Sequence, residues 1–212
     1  MHTLNSVFDK IIVINRTART DRWANVLRQC EKFGITLERF EAHEATDCLV
    51  EGKPNGTFAA TSSHRGVLEL VCHHKWQKTL ILEDDFQIVD ESSFPEQFDA
   101  MWPEVPADWD WVWLGAGYAE APISRVNDSV IRAGRLMTLS SYAITYKMAR
   151  KFTPNIGGSG PPEAYFWPYQ RKFKTYVLDP RLMIQADGMS DLTGEYSRNS
   201  NSMLDNFHAN LV

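Results

Sequence analysis

The run Lys10 to Asn15, KIIVIN, constrains the fold more than any other stretch. A short, continuous β-branched apolar segment can hide both of its faces only as an inner strand of a sheet covered on each side. The next segment has a different period. Thr20 and Asp21 offer a helix start, Trp23, Val26, Leu27, Cys30 and Phe33 recur at helical spacing, and Gly34 supplies the stop. Ile35 to Ala42 reads as a second strand, and the polar stretch through Gly52, Pro54, Asn55 and Gly56 as a surface loop.

The alternation continues. Ser62 or Ser63 is a cap for a helix through Val67, Leu68, Val71 and Trp76, and Thr79 to Leu82 is a further short apolar strand. A helix over Phe94 to Met101, a Trp-rich strand at Asp110 to Gly115, a long loop holding Gly117, Pro122 and Asn127, and a strand at Leu139 to Tyr146 come next. Thr153 to Pro162 is a Gly- and Pro-rich loop, Pro161, Pro162 and Glu163 suit a helical first turn, and Thr175 to Leu178 is a last strand. This order predicts one α/β sandwich over residues 1–212 with a mainly parallel sheet, whose ligands collect beyond the carboxyl ends of the strands.

Composition removes several classes of function. A net charge of −5 argues against a nucleic-acid partner, which usually meets a basic stripe. No apolar run reaches the length of a bilayer crossing, and MHTLNSVFDK lacks a basic start followed by an apolar core, so a cytoplasmic protein without a transmembrane segment is expected. Cys30, Cys48 and Cys72, odd in number and without metal-ligand spacing, fit a reducing setting.

Three clusters carry the expected chemistry. Glu83, Asp84 and Asp85 end the strand LILEDD, and adjacent carboxylates at a buried strand's end favour a cation with oxygen ligands. Alternation sends Glu83 and Asp85 one way and Asp84 the other, giving Asp85 to a metal and Glu83 to a ribose or a supporting role. Asn15, Arg16, Arg19 and Arg22 follow the first strand. Arginines there can grip diphosphate oxygens in bidentate fashion, and Asn15 can read a base edge. Ser63 and His64 open a helix whose N-terminus attracts anions, His64 binding a phosphate or simply capping. Gly115 and Gly117 lack the third glycine of a dinucleotide fingerprint, Glu120 standing in its place.

Together these motifs resemble the family 25 glycosyltransferases. The resemblance rests on Asn15, Arg16, Arg19 and Arg22, on Ser63-His64 and on Leu82-Glu83-Asp84-Asp85. It extends through Trp113-Leu114-Gly115, Ser141-Tyr142-Ala143-Ile144-Thr145 and Ser190-Asp191-Leu192. It implies a GT-A fold, an α/β/α sandwich whose N-terminal half binds the donor and whose C-terminal half binds the acceptor. It also implies a UDP-sugar donor, a glycan or glycoprotein acceptor, Mn²⁺ or Mg²⁺ as cofactor, and inversion at the anomeric carbon.

On that resemblance Asp85, with Asp187 from the C-terminal region, holds the metal, and Glu163 is the base where the family usually has Asp, with Asp191 as the alternative. Trp111, Trp113, Tyr165 and Trp167 are candidates for sugar stacking. Size and motifs also resemble the N-terminal glycosyltransferase domain of multidomain enzymes of large algal DNA viruses, which would place the chain in host cytoplasm and continue it beyond Val212. Two further classes suit the same residues: a metal-dependent phosphoester or diphosphate hydrolase, and a catalytically silent sugar-binding module.

Overall fold

Strand and helix alternate along the computed structural model, which describes residues 1–191 and 195–198, with the backbone alone at 118–123. In chain order the elements are α1 Leu4–Val7, β1 Lys10–Asn15, α2 Thr20–Phe33, β2 Glu38–Glu41, β3 Leu49–Val50, β4 Lys53–Pro54, α3 Gly56–His74, β5 Lys78–Glu83, β6 Phe86–Ile88 and α4 Phe94–Met101. After these come β7 Trp111–Trp113, β8 Tyr118–Asn127, β9 Val130–Met137, β10 Ser141–Thr145, α5 Tyr146–Phe152, α6 Pro162–Gln170, β11 Thr175–Leu178, β12 Met183–Gln185, β13 Gly188–Met189 and β14 Tyr196–Ser197.

Among the described residues eight strands make one sheet, in the order β2-β1-β5-β10-β7-β11-β9-β8. The strands β2, β1, β5, β7 and β11 share one direction, and β10 is inserted antiparallel between β5 and β7. The hairpin β8–β9 closes one edge antiparallel to β11. The expected mainly parallel α/β/α sandwich is the architecture observed.

Alternating side chains of the same strands feed two cores. Ile11, Val13, Leu80, Leu82, Val112 and Ala143 pack against Val26 and Cys30 of α2 and Phe94, Phe98 and Met101 of α4. Ile12, Ile14, Ile81, Trp111, Trp113, Tyr142 and Ile144 pack against Val67, Leu68 and Val71 of α3, Phe152 of α5 and Phe166 of α6. That two-residue period is why KIIVIN has no polar face. Trp111 stacks on Phe166 at 5.4 Å between centroids and Trp113 on Tyr142 at 5.6 Å. Such pairs add about 0.5 to 1.5 kcal/mol each beyond their burial. Trp111 and Trp113 are therefore core residues and not sugar-stacking surfaces. Tyr165 packs partly buried against the same core, and Trp167 donates its indole N–H to Leu136 O at 3.2 Å beneath the Arg135 guanidinium.

The local expectations needed correction at several points. Helix α3 starts at Gly56, because the Asn55 side chain accepts the Phe58 N–H at 2.7 Å and caps it there. Ser63 and His64 thus lie two turns inside the helix, where backbone N–H groups are already paired, and the expected anion site at a helix start does not exist. Phe58, Ala59 and Ala60 form the apolar first turns that the Gly-Pro punctuation concealed. Residues 118–137 form a hairpin and not a long loop, and β2 is shorter than expected. Two short strands, β6 and β12, pair with each other and escaped notice for want of length. Leu192 lies outside the described residues.

Candidate active site

The carboxyl ends of β1 and β5 lie side by side, with Ile14 registered against Glu83. Their extensions, together with Ala42 to Ala45 after β2, helix α3 and the segment after β12, enclose a cleft of about 270 Å³. Arg16, Arg22, Ser63, His64, Glu83, Asp84, Asp85 and Asp191 line it, and Ile14, Ala42, Ala45, Ala59 and Ala60 give it small apolar walls. Residues far apart in sequence, singled out by type and by strand-end position, thus share one cavity.

The acidic triplet divides its partners. Asp84 is buried, accepting from Asn15 Nδ2 at 2.6 Å and from Arg22 Nη1 at 2.8 Å. Asp85 Oδ2 accepts from the same Arg22 nitrogen at 3.0 Å and from Gln185 Nε2 at 3.1 Å. The Asp85 carbonyl also receives the Ala186 N–H at 2.7 Å, which ties the segment after β12 to the triplet. Glu83 turns the other way, its Oε1 lying 3.1 Å from His64 Nε2, while His64 Nδ1 lies 3.1 Å from the Tyr142 hydroxyl. Alternation holds for Glu83 against Asp84 but fails at Asp85, which shares Arg22 with Asp84, because β5 ends at Glu83.

These contacts shift protons. Burial, reinforced by the charge of Glu83 and opposed by Arg22, pushes the Asp85 carboxyl up to about 7. Burial also raises Asp84, against the opposing hydrogen bond and charge of Arg22. The Glu163 carboxyl, in the first turn of α6, is raised by burial and by the charge of Glu83, its own backbone N–H opposing. The Glu163 side chain does not line the cleft.

The basic cluster is arranged differently from the expectation. Asn15 is buried behind the cleft and spends its amide N–H groups on Asp84 and on Arg19 O, so it steadies a carboxylate and does not face a base. Arg16 forks onto Glu44, with Nη2 at 2.7 Å from Oε2, and reaches Asp191 at 3.3 Å. Arg19 lies outside the lining and pairs with Asp21 and Asp191, each at 2.9 Å. Ser63 donates to Ala59 O and accepts the His43 N–H at 2.9 Å, which fixes the chain after β2. Asp191 is held by two arginines at the rim, and Asp187 is exposed next to Ala186 and Gly188, both of which line the cleft. Sequence reasoning missed Glu44, Tyr142 and Gln185 as partners, since their contacts join segments without a local motif.

Does this set suit a divalent metal? Among the described residues no three His, Cys, Asp or Glu side chains are grouped to hold one unaided. Yet Asp85 Oδ1 is buried without any hydrogen-bond partner, and it is the only carboxylate oxygen so placed among the described residues. An orphaned carboxylate oxygen at such a place costs about 1 to 3 kcal/mol or more. A hard cation taking one or two carboxylates and completing its shell from water and phosphate oxygens would satisfy it. The residues present fit that mode.

No protein-family model matches the chain, and no curated protein matches it. Solved structures do. A Drosophila β-1,4-galactosyltransferase 7, in complex with manganese, UDP-Gal and xylobiose, aligns with a TM-score of 0.50 at 5% identity, over 94% of this chain and 80% of that one. A glycosyltransferase involved in glycosylation of the major capsid of PBCV-1 aligns at 0.42 and 8% identity, over 80% and 91%. A mannose-1-phosphate geranyltransferase from Thermus thermophilus aligns at 0.43 and 10% identity, over 79% of this chain and 58% of that one.

The Drosophila structure, at a TM-score of 0.50, shares the α/β/α sandwich, and the fold is of GT-A type. The family 25 resemblance and the algal-virus resemblance rest on the sequence motifs alone. Among the described residues no helix is long and apolar enough to cross a membrane.

Proposed function

We propose that the protein is a metal-dependent glycosyltransferase that moves a sugar from a UDP-sugar to a hydroxyl of a glycan or glycoprotein acceptor with inversion. The observation that carries this reading is the unpartnered Asp85 Oδ1 at the strand-end edge of the cleft. Mn²⁺ or Mg²⁺ held there would place positive charge opposite a departing diphosphate. The donor and metal class come from the family 25 resemblance, and the Drosophila fold neighbour is itself in complex with manganese and UDP-Gal.

The chain's own groups then divide the work. Arg22 keeps Asp84 and Asp85 together despite their mutual repulsion, and Asn15 and Gln185 fix the rotamers of the pair. Glu83 presents a hydrogen-bond acceptor to the cleft, and the alanine walls leave room for a flat ring. Glu163 is assigned the acceptor-hydroxyl proton: burial raises its affinity for a proton above that of an ordinary carboxylate, which makes it the stronger base. Asp191 is assigned to the rim, where Arg16 and Arg19 hold it.

Thermal unfolding against a panel of nucleotides and nucleotide sugars, with and without Mn²⁺, tests the reading, because a ligand of the folded state alone raises its Tm. A shift with uridine diphosphate sugars that requires Mn²⁺ is expected. No shift with any nucleotide would exclude the transferase and favour a sugar-binding module.

A further inference from the structure

We infer that Tyr142 and His64 are positioning residues that lock the Glu83 carboxylate as the reader of ribose hydroxyls in the nucleotide donor. The inference rests on the donor site proposed above. It explains three polar groups that binding a metal leaves unused.

Tyr142 is fully buried, and its ring is clamped between Trp113, stacked at 5.6 Å, and Phe166, edge-on at 5.4 Å. Its hydroxyl must find a partner inside the protein, and among the described residues it has the His64 Nδ1 at 3.1 Å. His64 is itself 1% exposed, and its ring meets Tyr142 and Phe166 at 5.8 and 6.3 Å, so packing fixes its plane. A hydroxyl that donates to Nδ1 leaves the imidazole proton on Nε2, where it points at Glu83 Oε1 3.1 Å away. With a neutral imidazole the donors run one way: tyrosine to histidine to carboxylate.

The consequence lies at Glu83. Its side chain is 27% exposed and lines the cleft, so one carboxylate oxygen is held from behind while the group still faces the ligand space. A carboxylate can only accept, and a pinned one is suited to a fixed hydroxyl donor and not to a phosphate, which it repels. Phosphate oxygens would instead be drawn toward the metal-binding side at Asp85. A vicinal diol on the nucleoside is the donor of matching chemistry. Without the tyrosine hydroxyl, the imidazole is free to carry its proton on Nδ1, which turns a lone pair toward Glu83 and pushes the carboxylate away.

The test compares binding of uridine diphosphate and 2′,3′-dideoxyuridine diphosphate by calorimetry in Mn²⁺ buffer, using wild type, Tyr142→Phe, Glu83→Gln and the double variant. Wild type should prefer the ribonucleotide by about tenfold or more, as expected for a hydrogen bond to a charged group. Tyr142→Phe, nearly isosteric in its aromatic clamp, should lose most of that preference while its affinity for the dideoxy compound stays within about twofold. In the Glu83→Gln background it should change nothing further. Long-range ¹⁵N–¹H spectra without ligand should show His64 protonated on Nε2 in wild type and lose that single form in Tyr142→Phe.

A wild type that binds both nucleotides equally, or an unchanged preference in Tyr142→Phe, overturns the inference and leaves the donor site standing. So does a wild-type His64 protonated on Nδ1. Absence of any nucleotide binding by wild type overturns both.

Discussion

Replacing Asp85 by Asn should make the metal-free protein more stable at pH 8, although it removes the residue on which the proposed activity depends. The Asp85 carboxyl is pushed up to about 7 by burial and the charge of Glu83 even with Arg22 opposing, against an ordinary value of 3.8. A group whose folded value is raised stabilises the fold below its unfolded value, and that contribution is lost as pH rises through the folded value. Wild type therefore surrenders stability between about pH 4 and pH 7 through this side chain. At 1.36 kcal/mol per unit the loss is at most about 4 kcal/mol, and relaxation around the ionised group brings the expectation to about 2 to 4 kcal/mol.

Asn has the same shape, can keep an oxygen toward Arg22 and Gln185, and does not ionise. Asp85→Asn should therefore exceed wild type by roughly 4 to 16 °C in Tm at pH 8, with the gap closing toward pH 4. Paired thermal melts across pH in chelator measure this, and adding Mn²⁺ should raise wild type only. Since Asp84 and Glu163 are present in both proteins, the difference reports Asp85 together with its charge coupling to Glu83 and Asp84. A variant less stable than wild type at pH 8, or a gap that does not narrow on acidification, would refute the reasoning that burial without a cation strains this carboxylate.

Three further outcomes are expected. Arg22→Gln should cost about 3 to 5 kcal/mol by stranding Asp84 and Asp85, and chemical denaturation should show Mn²⁺ restoring more stability to it than to wild type. Gly115→Ala should destabilise by about 3 kcal/mol or more, because its Cβ would fall 1.6 Å from Met183 O; an unchanged denaturation midpoint would show that the β12 segment can move aside. Glu163→Gln should bind UDP-sugar as wild type does and lose transfer by about a hundredfold or more, read in a product assay. If instead Asp191→Asn loses transfer while Glu163→Gln keeps it, the base is the rim carboxylate.

The sheet was legible because burial writes itself into residue type. KIIVIN and TLIL are apolar on both faces in sequence and covered on both faces in space. The triplet after TLIL was legible as a site because three adjacent carboxylates at a buried strand's end need an external reason. Partners were not legible. Arg16 meets Glu44, Arg22 meets Asp84 and Asp85, and His64 meets Tyr142 across separations of 28 to 78 residues, set by which strands lie side by side. The three arginines read as an open grip for diphosphate, whereas the fold has already given each a carboxylate. The start of α3 was misplaced because a serine pair resembles a cap as well as Asn55 does, and only the observed bond at Phe58 decides between them. The hairpin β8–β9 was hidden by Gly117 and Pro122, which read as punctuation.

The insertion of β10 between β5 and β7 has a consequence for how the chain is made. On a ribosome β5 emerges more than fifty residues before the strand that covers its edge, and β7 nearly thirty before it. Until Ser141–Thr145 appears, β5 presents one unpaired edge and β7 presents two, each able to recruit another nascent chain. Folding therefore waits on a late, five-residue strand, and its pairing is long-range on one side at least, which slows the search. The same strand delivers Tyr142 beneath Glu83, and the last sheet strand, β11, and the cleft-lining segment after β12 can be added only after it.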